Sequence, residues 1–351
     1  MASDVSTRMV RACRSLPVDR VPVWMMRQAG RYMPEYQALR RQVDFLGLCH
    51  DARLAAQATL DAWRYLDTDA AIIFSDITLP AAAMGQTLTF APGPKLVPAV
   101  RSLEDVKRLK RIQPEADLGF VMDAIRRTRA ELPREVSLLG FVGAPLTLAA
   151  YMVEGTPDRD WLEFRKLVYS APQVVAELVE RTAEAVAAHA VAQLAAGCDI
   201  VQLFDTSAGE LPSAELQRFA FGAARQVIQS VRRHNTDAPV IYFARDIGAH
   251  LEAAADIGAD VLALDWKVSI SEARARLGDR VALMGNLEPA ILLTTREEID
   301  HRVAAILREA EGLGGFIFNL GHGVLPRTPP EHARQVVESV KRHGVRQGAR
   351  S

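Results

Sequence analysis

Residues 22–36 read PVWMMRQAGRYMPEY, a short apolar segment that leads into two arginines, Arg27 and Arg31. Gly30 permits a bend and a close backbone approach, and Pro34 suits the first turn of a helix. The segment therefore predicts a strand-to-helix turn with both arginines at the end of the strand. Guanidinium groups bind carboxylate or phosphate in a planar, bidentate way, so the pair predicts a ligand rich in negative oxygens.

Further apolar, β-prone runs recur along the chain and are separated by helix-like stretches. With Val21–Met26 as the first, the eight predicted strands continue with Ala71–Phe74, Ser137–Val142, Ile200–Phe204, Val240–Phe243, Val261–Leu264, Val281–Met284 and Phe316–Leu320. Continuous apolar strands are buried on both faces, as in parallel sheets covered by helices. Eight such units, with no GxGxxG after the first strand, favour an α/β fold of the (β/α)8 TIM-barrel type over a doubly wound sheet.

No low-complexity linker divides the chain. The stretch Phe90–Pro98 is too short and too apolar for a flexible linker, and we expect it to belong to a long surface loop. We therefore predict a single barrel domain over residues 1–351, with polar ends at about 1–8 and 342–351 that fray.

Charge and composition exclude several classes of protein. The chain has 42 basic and 43 acidic residues, whereas a general nucleic-acid binder needs a basic excess. It has no apolar span long enough to cross a bilayer and no signal-peptide core at its start. Cys13, Cys49 and Cys198 are odd in number and widely spaced, which is typical of reduced thiols. These features predict a cytoplasmic enzyme without nucleic-acid or membrane partners.

Polar residues follow the ends of the predicted strands, where barrel active sites are built. They are Arg27, Arg31, Ser75, Asp76, Tyr151, Asp205, Thr206, Ser207, Asp265, Trp266, Asn286, Asn319 and His322. The set combines fixed cations, carboxylates, hydroxyls and a histidine. Because HxxxH, CxxC and clustered carboxylate pairs are missing from the sequence, no metal site is predicted.

These residue types also have structural explanations, which remain open at this point. Asp76 is either a helix cap or a buried carboxylate that needs donors to hold its charge. His322 lies between two glycines, which favours room for a ligand. Tyr151 and Thr206, taken singly, are better explained as a packed tyrosine and a helix start.

The charged residues have similar alternatives. Arg27 and Arg31 either bind a ligand or clamp carbonyls at the barrel end. Arg40 is also explained as part of a solvated helix face, and Asp205 and Asp265 as counter-charges for the arginines.

Six segments, in this order, resemble the uroporphyrinogen decarboxylase family. They are PVWMMRQAGRYMPEY at 22–36, IIFSDI at 72–77, GAPLTLAAYMVEG at 143–155, FDTSAG at 204–209, MGNLEP at 284–289 and NLGHGV at 319–324. The resemblance runs from about Arg20 to Glu331. It implies a distorted (β/α)8 barrel and a homodimer with facing clefts. It also implies cofactor-free decarboxylation of the four acetate side chains of uroporphyrinogen III to coproporphyrinogen III, in heme and tetrapyrrole biosynthesis.

The resemblance implies roles for the matching residues. Asp76 matches the aspartate that binds the pyrrole NH groups, and with Arg27, Tyr151 and His322 it forms the expected catalytic set. The remaining residues expected to bind substrate are Gln28, Ala29, Gly30, Arg31, Arg40, Thr206 and the backbone around Phe141 and Gly143.

The chemistry of the implied substrate explains why no cofactor is expected. Protonation of the ring carbon beside an acetate makes the pyrrole itself the electron sink for departing carbon dioxide. Asp76 would stabilise the cation electrostatically, and protonation of the exposed methylene would give the methyl group. The proton donor stays open among Arg27, His322, Tyr151 and a water held by them.

Three other functions make different predictions. A zinc-dependent methyltransferase acting on corrinoids or thiols should have His and Cys ligands near the barrel mouth, yet no cysteine follows Cys198. A sugar-phosphate enzyme should have a glycine-rich loop after the seventh or eighth strand, whereas Gly312–Gly315 precedes the eighth. A porphyrin carrier should bind flat, oxidised porphyrin and release no carbon dioxide.

Overall fold

The computed structural model describes residues 6–90, 93–156, 160–234 and 237–346 of the chain. The strands in these ranges are β1 (Ala70–Ile72), β2 (Thr87–Phe90), β3 (Pro94–Val97), β4 (Ser137–Gly143), β5 (Ile200–Asp205), β6 (Val240–Ala244), β7 (Val261–Ala263), β8 (Ala282–Leu287) and β9 (Phe316–Leu320). Seven of them form one curled parallel sheet in the order β1-β4-β5-β6-β7-β8-β9. The predicted α/β fold with a parallel sheet is confirmed.

Helices fill most of the connections between the strands of this sheet. In the described part of the chain the α-helices are α1 (Arg8–Cys13), α2 (Pro34–Arg40), α3 (Phe45–His50), α4 (Ala52–Leu66), α5 (Leu79–Ala83), α6 (Leu103–Arg108), α7 (Pro114–Asp117), α8 (Gly119–Glu131), α9 (Pro145–Glu154), α10 (Leu162–Ser170), α11 (Pro172–Ala196), α12 (Ser213–Glu215), α13 (Gly222–His234), α14 (Leu251–Ala255), α15 (Ile270–Leu277), α16 (Arg296–Glu309) and α17 (Pro330–His343). Shorter turns are 3-10 helices at Ala208–Glu210, Gly248–His250 and Pro289–Leu293, and a π-helix at Leu216–Phe221. Asp51, Ser269 and Thr295 cap α4, α15 and α16 by accepting N–H bonds of the first turn.

The predicted first strand, Val21–Met26, is not a regular strand. Val23 makes one isolated parallel bridge with Phe318 of β9. The Val23 carbonyl also accepts a hydrogen bond at 2.9 Å from the N–H of Asp69, which directly precedes β1. The segment therefore lies between the two edge strands of the seven-stranded sheet.

Side chains replace part of the strand ladder along this segment. The Val23 N–H donates to the Asp69 carboxylate at 2.9 Å, and the Met26 N–H donates to Asn319 Oδ1 at 3.0 Å. Because these buried donors are already satisfied, continuous strand pairing is not required. Asp69 and Asn319 are far from Val21–Met26 in sequence, so these bonds could not be read from it. The apolar run, taken by itself, indicated a strand.

The stretch Phe90–Pro98 corrects the expectation of a surface loop. It includes the end of β2 and all of β3, which pair antiparallel; residues 91–92 lie outside the described residues. Leu96 is buried, and its N–H donates to the Gly155 carbonyl at 2.6 Å. The ribbon is thereby docked at the end of α9.

The residues of the parallel strands alternate between two apolar clusters. On β6, Ile241 points into the curl of the sheet, whereas Tyr242 packs outward against the helices. Met9 of α1 belongs to the inner cluster, and the Thr7 hydroxyl bonds to that of Ser137 at the start of β4. Helix α1 therefore covers the amino-terminal end of the sheet, and the carboxyl ends of the strands remain for a site.

The predicted polar ends, 1–8 and 342–351, lie partly outside the described residues. Of the parts described, Arg8 begins α1 and His343 ends α17. No helix in the described ranges combines the length and apolarity needed to span a membrane. The three cysteines are buried free thiols.

Candidate active site

Arg27 projects from the turn that follows the first apolar segment. Its backbone is left-handed, with φ of 63°. The residue is exposed overall, yet protein surrounds its charged end, as expected of a side chain that reaches into a cleft. Burial lowers the pKa of the guanidinium; Arg31 adds to this effect, while Tyr151 and Asp76 oppose it.

The space beside Arg27 is provided by a glycine. A β-carbon at Gly323 would overlap the Cγ and Cδ atoms of Arg27. At Gly321 a β-carbon would meet the backbone of Trp266. The space beside both glycines that flank His322 is thus occupied by protein atoms, and the role of His322 in ligand binding stays a prediction.

Asp76 follows β1 and is oriented by Thr78. Its Oδ1 accepts hydrogen bonds from the Thr78 N–H at 2.8 Å and from the Thr78 hydroxyl at 2.5 Å. Among the described residues nothing donates to Oδ2, and Asp76 is half-buried, so this oxygen can meet a ligand. Burial raises the pKa of the carboxyl, and the Thr78 bonds and Arg27 oppose that rise.

Thr78 is a site residue that sequence reasoning missed. The signal was present, because Asp-x-Thr is a sequence in which an Asp side chain often bonds the backbone two residues on. The capping explanation for Asp76 is therefore partly right. One carboxylate oxygen orders the turn before α5, and the other takes no part in it.

Tyr151 faces the same region from α9. Its ring makes an edge-on contact with Trp161, with 4.9 Å between the ring centres. Burial raises the pKa of the phenol, and Asp76 raises it further, while Arg27 and Arg245 lower it. The hydroxyl therefore stays protonated at neutral pH.

His322 follows β9 and lies among aromatic rings. Its ring centre is 6.0 Å from that of Phe243 and 6.5 Å from that of Trp266, both edge-on. Burial lowers the pKa of the imidazole to about 4, and Arg27 and Arg245 contribute in the same direction. The ring is neutral at pH 7 and able to donate or accept a hydrogen bond.

Arg245 is a further cation at this end of the sheet that sequence reasoning missed. It directly follows β6 and influences both Tyr151 and His322 electrostatically. Its guanidinium is 2.9 Å from the Glu210 carboxylate and 3.2 Å from that of Asp246. Its place at a strand end was the available signal.

Asp205 and Asp265 do not neutralise Arg27 and Arg31. Asp205 is fully buried and accepts hydrogen bonds from two hydroxyls, those of Thr147 at 2.7 Å and Tyr242 at 2.8 Å. Asp265 accepts hydrogen bonds from the N–H groups of Asp246, at 2.6 Å, and Lys267, at 2.8 Å. Asp265 therefore orders loop backbone, whereas Asp205 links two side-chain hydroxyls.

The other residues predicted to bind substrate differ in their exposure to solvent and in their contacts. Arg31 is exposed, Ala29, Gly30 and Thr206 are half-buried, and Arg40 donates to the Val43 carbonyl at 2.6 Å. The Gln28 side chain is fully buried and donates to the Ala70 carbonyl at 3.2 Å. Its backbone N–H and carbonyl are bonded to Met25 and Tyr32, so Gln28 supports the turn from within.

Phe141 shows a similar division between backbone and side chain. Its N–H and carbonyl both pair with the Gln193 amide, at 2.9 and 2.8 Å. Its half-buried ring lies edge-on to Phe204, with 5.7 Å between the centres. At Gly143 a β-carbon would press on Ile77. The Phe141 N–H and carbonyl are therefore already occupied within the protein, and its part in lining the pocket stays a prediction.

Comparison with known proteins identifies the family to which the sequence is similar. The sequence profile of the family described as uroporphyrinogen decarboxylase (URO-D) matches residues 5–343. The uroporphyrinogen decarboxylases of Pelobacter propionicus and Geobacter metallireducens are 46% and 44% identical; each alignment covers 96% of this chain and 99% of the relative.

Similar solved structures share the fold at lower sequence identity. A methyltransferase from Methanosarcina mazei has a TM-score of 0.77 at 20% identity, covering 96% of this chain and 98% of that one. A B12-independent methionine synthase from Shewanella sp. has a TM-score of 0.55 at 14% identity, covering 83% and 88%. These likenesses concern the fold, whereas the sequence matches extend over nearly the whole length of the chain. The chain belongs to the uroporphyrinogen decarboxylase family.

Proposed function

We propose that the protein decarboxylates the four acetate side chains of uroporphyrinogen III, giving coproporphyrinogen III and carbon dioxide in heme and tetrapyrrole biosynthesis. The observation that carries the proposal is the state of Asp76. One of its carboxylate oxygens is fixed by Thr78, while the other has no donor among the described residues and stays accessible. A macrocycle with four converging pyrrole NH groups supplies the missing donors. The names of the full-length relatives support the same activity.

Asp76 acts first as a binding group. Its desolvated carboxylate has a raised pKa, so hydrogen bonds from pyrrole NH groups would stabilise the charged form. When the ring carbon beside an acetate is protonated, the pyrrole becomes cationic, and the carboxylate faces it without reorganisation. Carbon dioxide then leaves, and the electrons of its bond to the acetate carbon neutralise the ring cation and form an exocyclic methylene. A second proton adds to this methylene to give the methyl group. The first proton then leaves the ring carbon, which restores the pyrrole, so one proton is taken up for each carbon dioxide released.

The protonation states of the neighbours favour Arg27 as the first proton donor. His322, with a pKa of about 4, carries no proton to give as a cation at neutral pH, and the pKa of Tyr151 is raised. Arg27 is a cation at neutral pH, and burial lowers the pKa of its guanidinium, which makes its proton easier to release. His322 and Tyr151 then serve as hydrogen-bonding groups. Arg31, which is exposed, anchors a propionate.

The methyltransferase alternative is less well supported by the donor set. It predicted a cluster of His and Cys ligands at the barrel mouth. Among the described residues, no group of three or more His, Cys, Asp or Glu side chains is arranged to hold a metal ion. A porphyrin carrier could have the same binding site but would release no carbon dioxide. Measuring the decarboxylated product therefore distinguishes it from the enzyme.

The finer architecture is also part of the proposal. Val21–Met26 takes the place of the eighth strand and closes a distorted (β/α)8 barrel. The barrel forms a single domain over residues 1–351. The contacts of Val23 with Phe318 and Asp69, at the two sheet edges, support this closure. Family membership further supports a cytoplasmic homodimer with facing clefts. Sedimentation equilibrium would test it, since a dimer has twice the 38.5 kDa chain mass.

One assay tests the proposed reaction directly. The purified protein is incubated anaerobically with freshly reduced uroporphyrinogen in the presence of a chelator, and the oxidised products are separated by carboxylate number. Stepwise loss from eight carboxylates to four is expected. Recovery of unchanged substrate from a folded protein would overturn the proposal, and activity that requires added metal would overturn its cofactor-free form.

A further inference from the structure

A fully buried hydrogen-bond network lies in the wall behind the candidate site. At its centre is Asp205, whose two carboxylate oxygens accept bonds from the hydroxyls of Thr147 and Tyr242, at 2.7 and 2.8 Å. All three side chains are inaccessible to solvent. The network joins the end of β5 and the middle of β6 to the first turn of α9.

Thr147 extends this network to the turn that carries Thr206. A hydroxyl has one donor and two acceptor positions. The Thr147 hydroxyl donates to Asp205 and accepts the N–H of Ser207 at 3.1 Å. The backbone on the carboxyl side of Thr206 is thus tied to α9 through a single oxygen atom.

The opposite side of the same turn is held by close packing. A β-carbon at Gly209 would overlap the Arg245 carbonyl and the Asp246 side chain. The Phe204 carbonyl accepts the N–H of Ala144 at 2.8 Å, just before α9 begins. The turn therefore has fixed contacts on both flanks, whereas Thr206 itself is half-exposed.

Thr147 also lies one helical turn before Tyr151 on α9. Residues four apart on a helix share a face, so movement of Thr147 relative to the turn would also move Tyr151 relative to Thr206. We propose that Thr147, oriented by Asp205, is a positioning residue that sets the spacing between Thr206 and Tyr151 across the cleft. The inference rests on the proposed function, because those two residues are its expected substrate contacts.

Stability alone is a poor reason for this arrangement. A carboxylate without a cationic partner is costly to bury, and a well-packed apolar replacement is often as stable. In this network two neutral hydroxyls are the only side-chain donors to Asp205 among the described residues. A network of fixed bond lengths specifies one geometry, which is what a site built across two chain segments requires.

The first test is a double-mutant cycle between Thr147→Val and Thr206→Val. Thr147→Val keeps the shape of the side chain but removes the hydroxyl, and we expect it to lower kcat/KM about tenfold, mainly by raising KM. Thr147→Ser keeps the hydroxyl and should restore most of the loss. Because Thr147 acts through Thr206, the combined variant should be little worse than Thr206→Val alone. Additive losses would overturn the proposal.

A matched control removes another buried threonine hydroxyl. Thr128 is fully buried and donates only to the Ala124 carbonyl, within α8. Thr128→Val should therefore leave the kinetic constants unchanged. If Thr147→Val does not fold, Asp205→Asn takes its place in the same cycle, since it preserves shape and removes the charge that orients Thr147.

Amide hydrogen exchange gives a readout that does not depend on turnover. Thr147→Val should speed exchange in residues 204–211, and Thr128→Val should not. Faster exchange in a protein whose wild type fails to decarboxylate would overturn the proposed function and leave the positioning contact intact. Unchanged exchange in this segment would overturn the positioning role, whatever the activity.

Discussion

Gly323 and the side chain of Arg27 occupy adjoining space at the carboxyl end of the sheet. A β-carbon on Gly323 would approach Arg27 Cγ to 2.7 Å and Nε to 2.9 Å. The overlap involves a flexible side chain and spares the backbone. The glycine therefore determines where the guanidinium lies, and the fold does not depend on it.

Gly323→Ala should displace Arg27 without unfolding the protein. We expect kcat/KM for uroporphyrinogen to fall by about tenfold to a hundredfold, since small misplacements of a reacting group are costly. Circular dichroism and the Tm should change little. Gly119→Ala is the matched control, because a β-carbon there meets nothing within 4 Å. Normal kinetics in Gly323→Ala would contradict the assignment of Arg27 to the chemistry.

Substitutions of Asp76 and Thr78 should lower the activity by different amounts. Asp76→Asn removes the charge that faces the cationic pyrrole, and we expect a loss of more than about a hundredfold in kcat. Thr78→Val keeps the charge but removes the hydroxyl bond to Oδ1, so a loss of about tenfold is expected. Steady-state kinetics on both folded variants measure this order. A larger effect of Thr78→Val than of Asp76→Asn would rule out the electrostatic role.

The sequence predicted the parts of this site that depend on local pattern. The apolar run of β6 and the positions of Asp76 and His322 after strands follow from the local order of apolar and polar residues. The bond between Thr147 and Asp205 joins residues 58 positions apart, and no local pattern reveals it. Val21–Met26 was predicted to be a strand because the side chains that accept its N–H bonds are distant in sequence and no local pattern indicates them. Arg245 lacked any motif to distinguish it from a surface cation.

His189 should make stability depend on pH. It is buried on α11, and desolvation lowers the pKa of its imidazole to about 4. Between about pH 6.5 and 4 the unfolded chain binds a proton there and the folded protein does not, so stability falls as the pH falls through this window. From pH 7.5 to 5 this single group should remove about 2 kcal/mol from the free energy of unfolding.

Denaturant unfolding at several pH values measures the contribution of His189. The isosteric change His189→Leu should flatten the dependence by about the same amount, about 2 kcal/mol. His322 contributes in the same direction, with its pKa of about 4. Asp205, with a pKa raised to about 6, acts oppositely, since its folded form takes up a proton first. The difference between His189→Leu and the wild type isolates one group. An unchanged slope would show that His189 is charged in the folded protein.

Arg245 should contribute to the low pKa of His322, in addition to burial and Arg27. Arg245→Met removes a cation that lowers the imidazole pKa, so that pKa should rise from about 4 toward its ordinary value. NMR titration of the His322 ring protons, assigned with a His322→Gln variant, measures the shift. Arg126→Met is the control, because Arg126 pairs with Glu115 and Asp123 on an exposed surface. A His322 pKa that stays at about 4 in Arg245→Met would show that burial and Arg27 keep the ring neutral without Arg245.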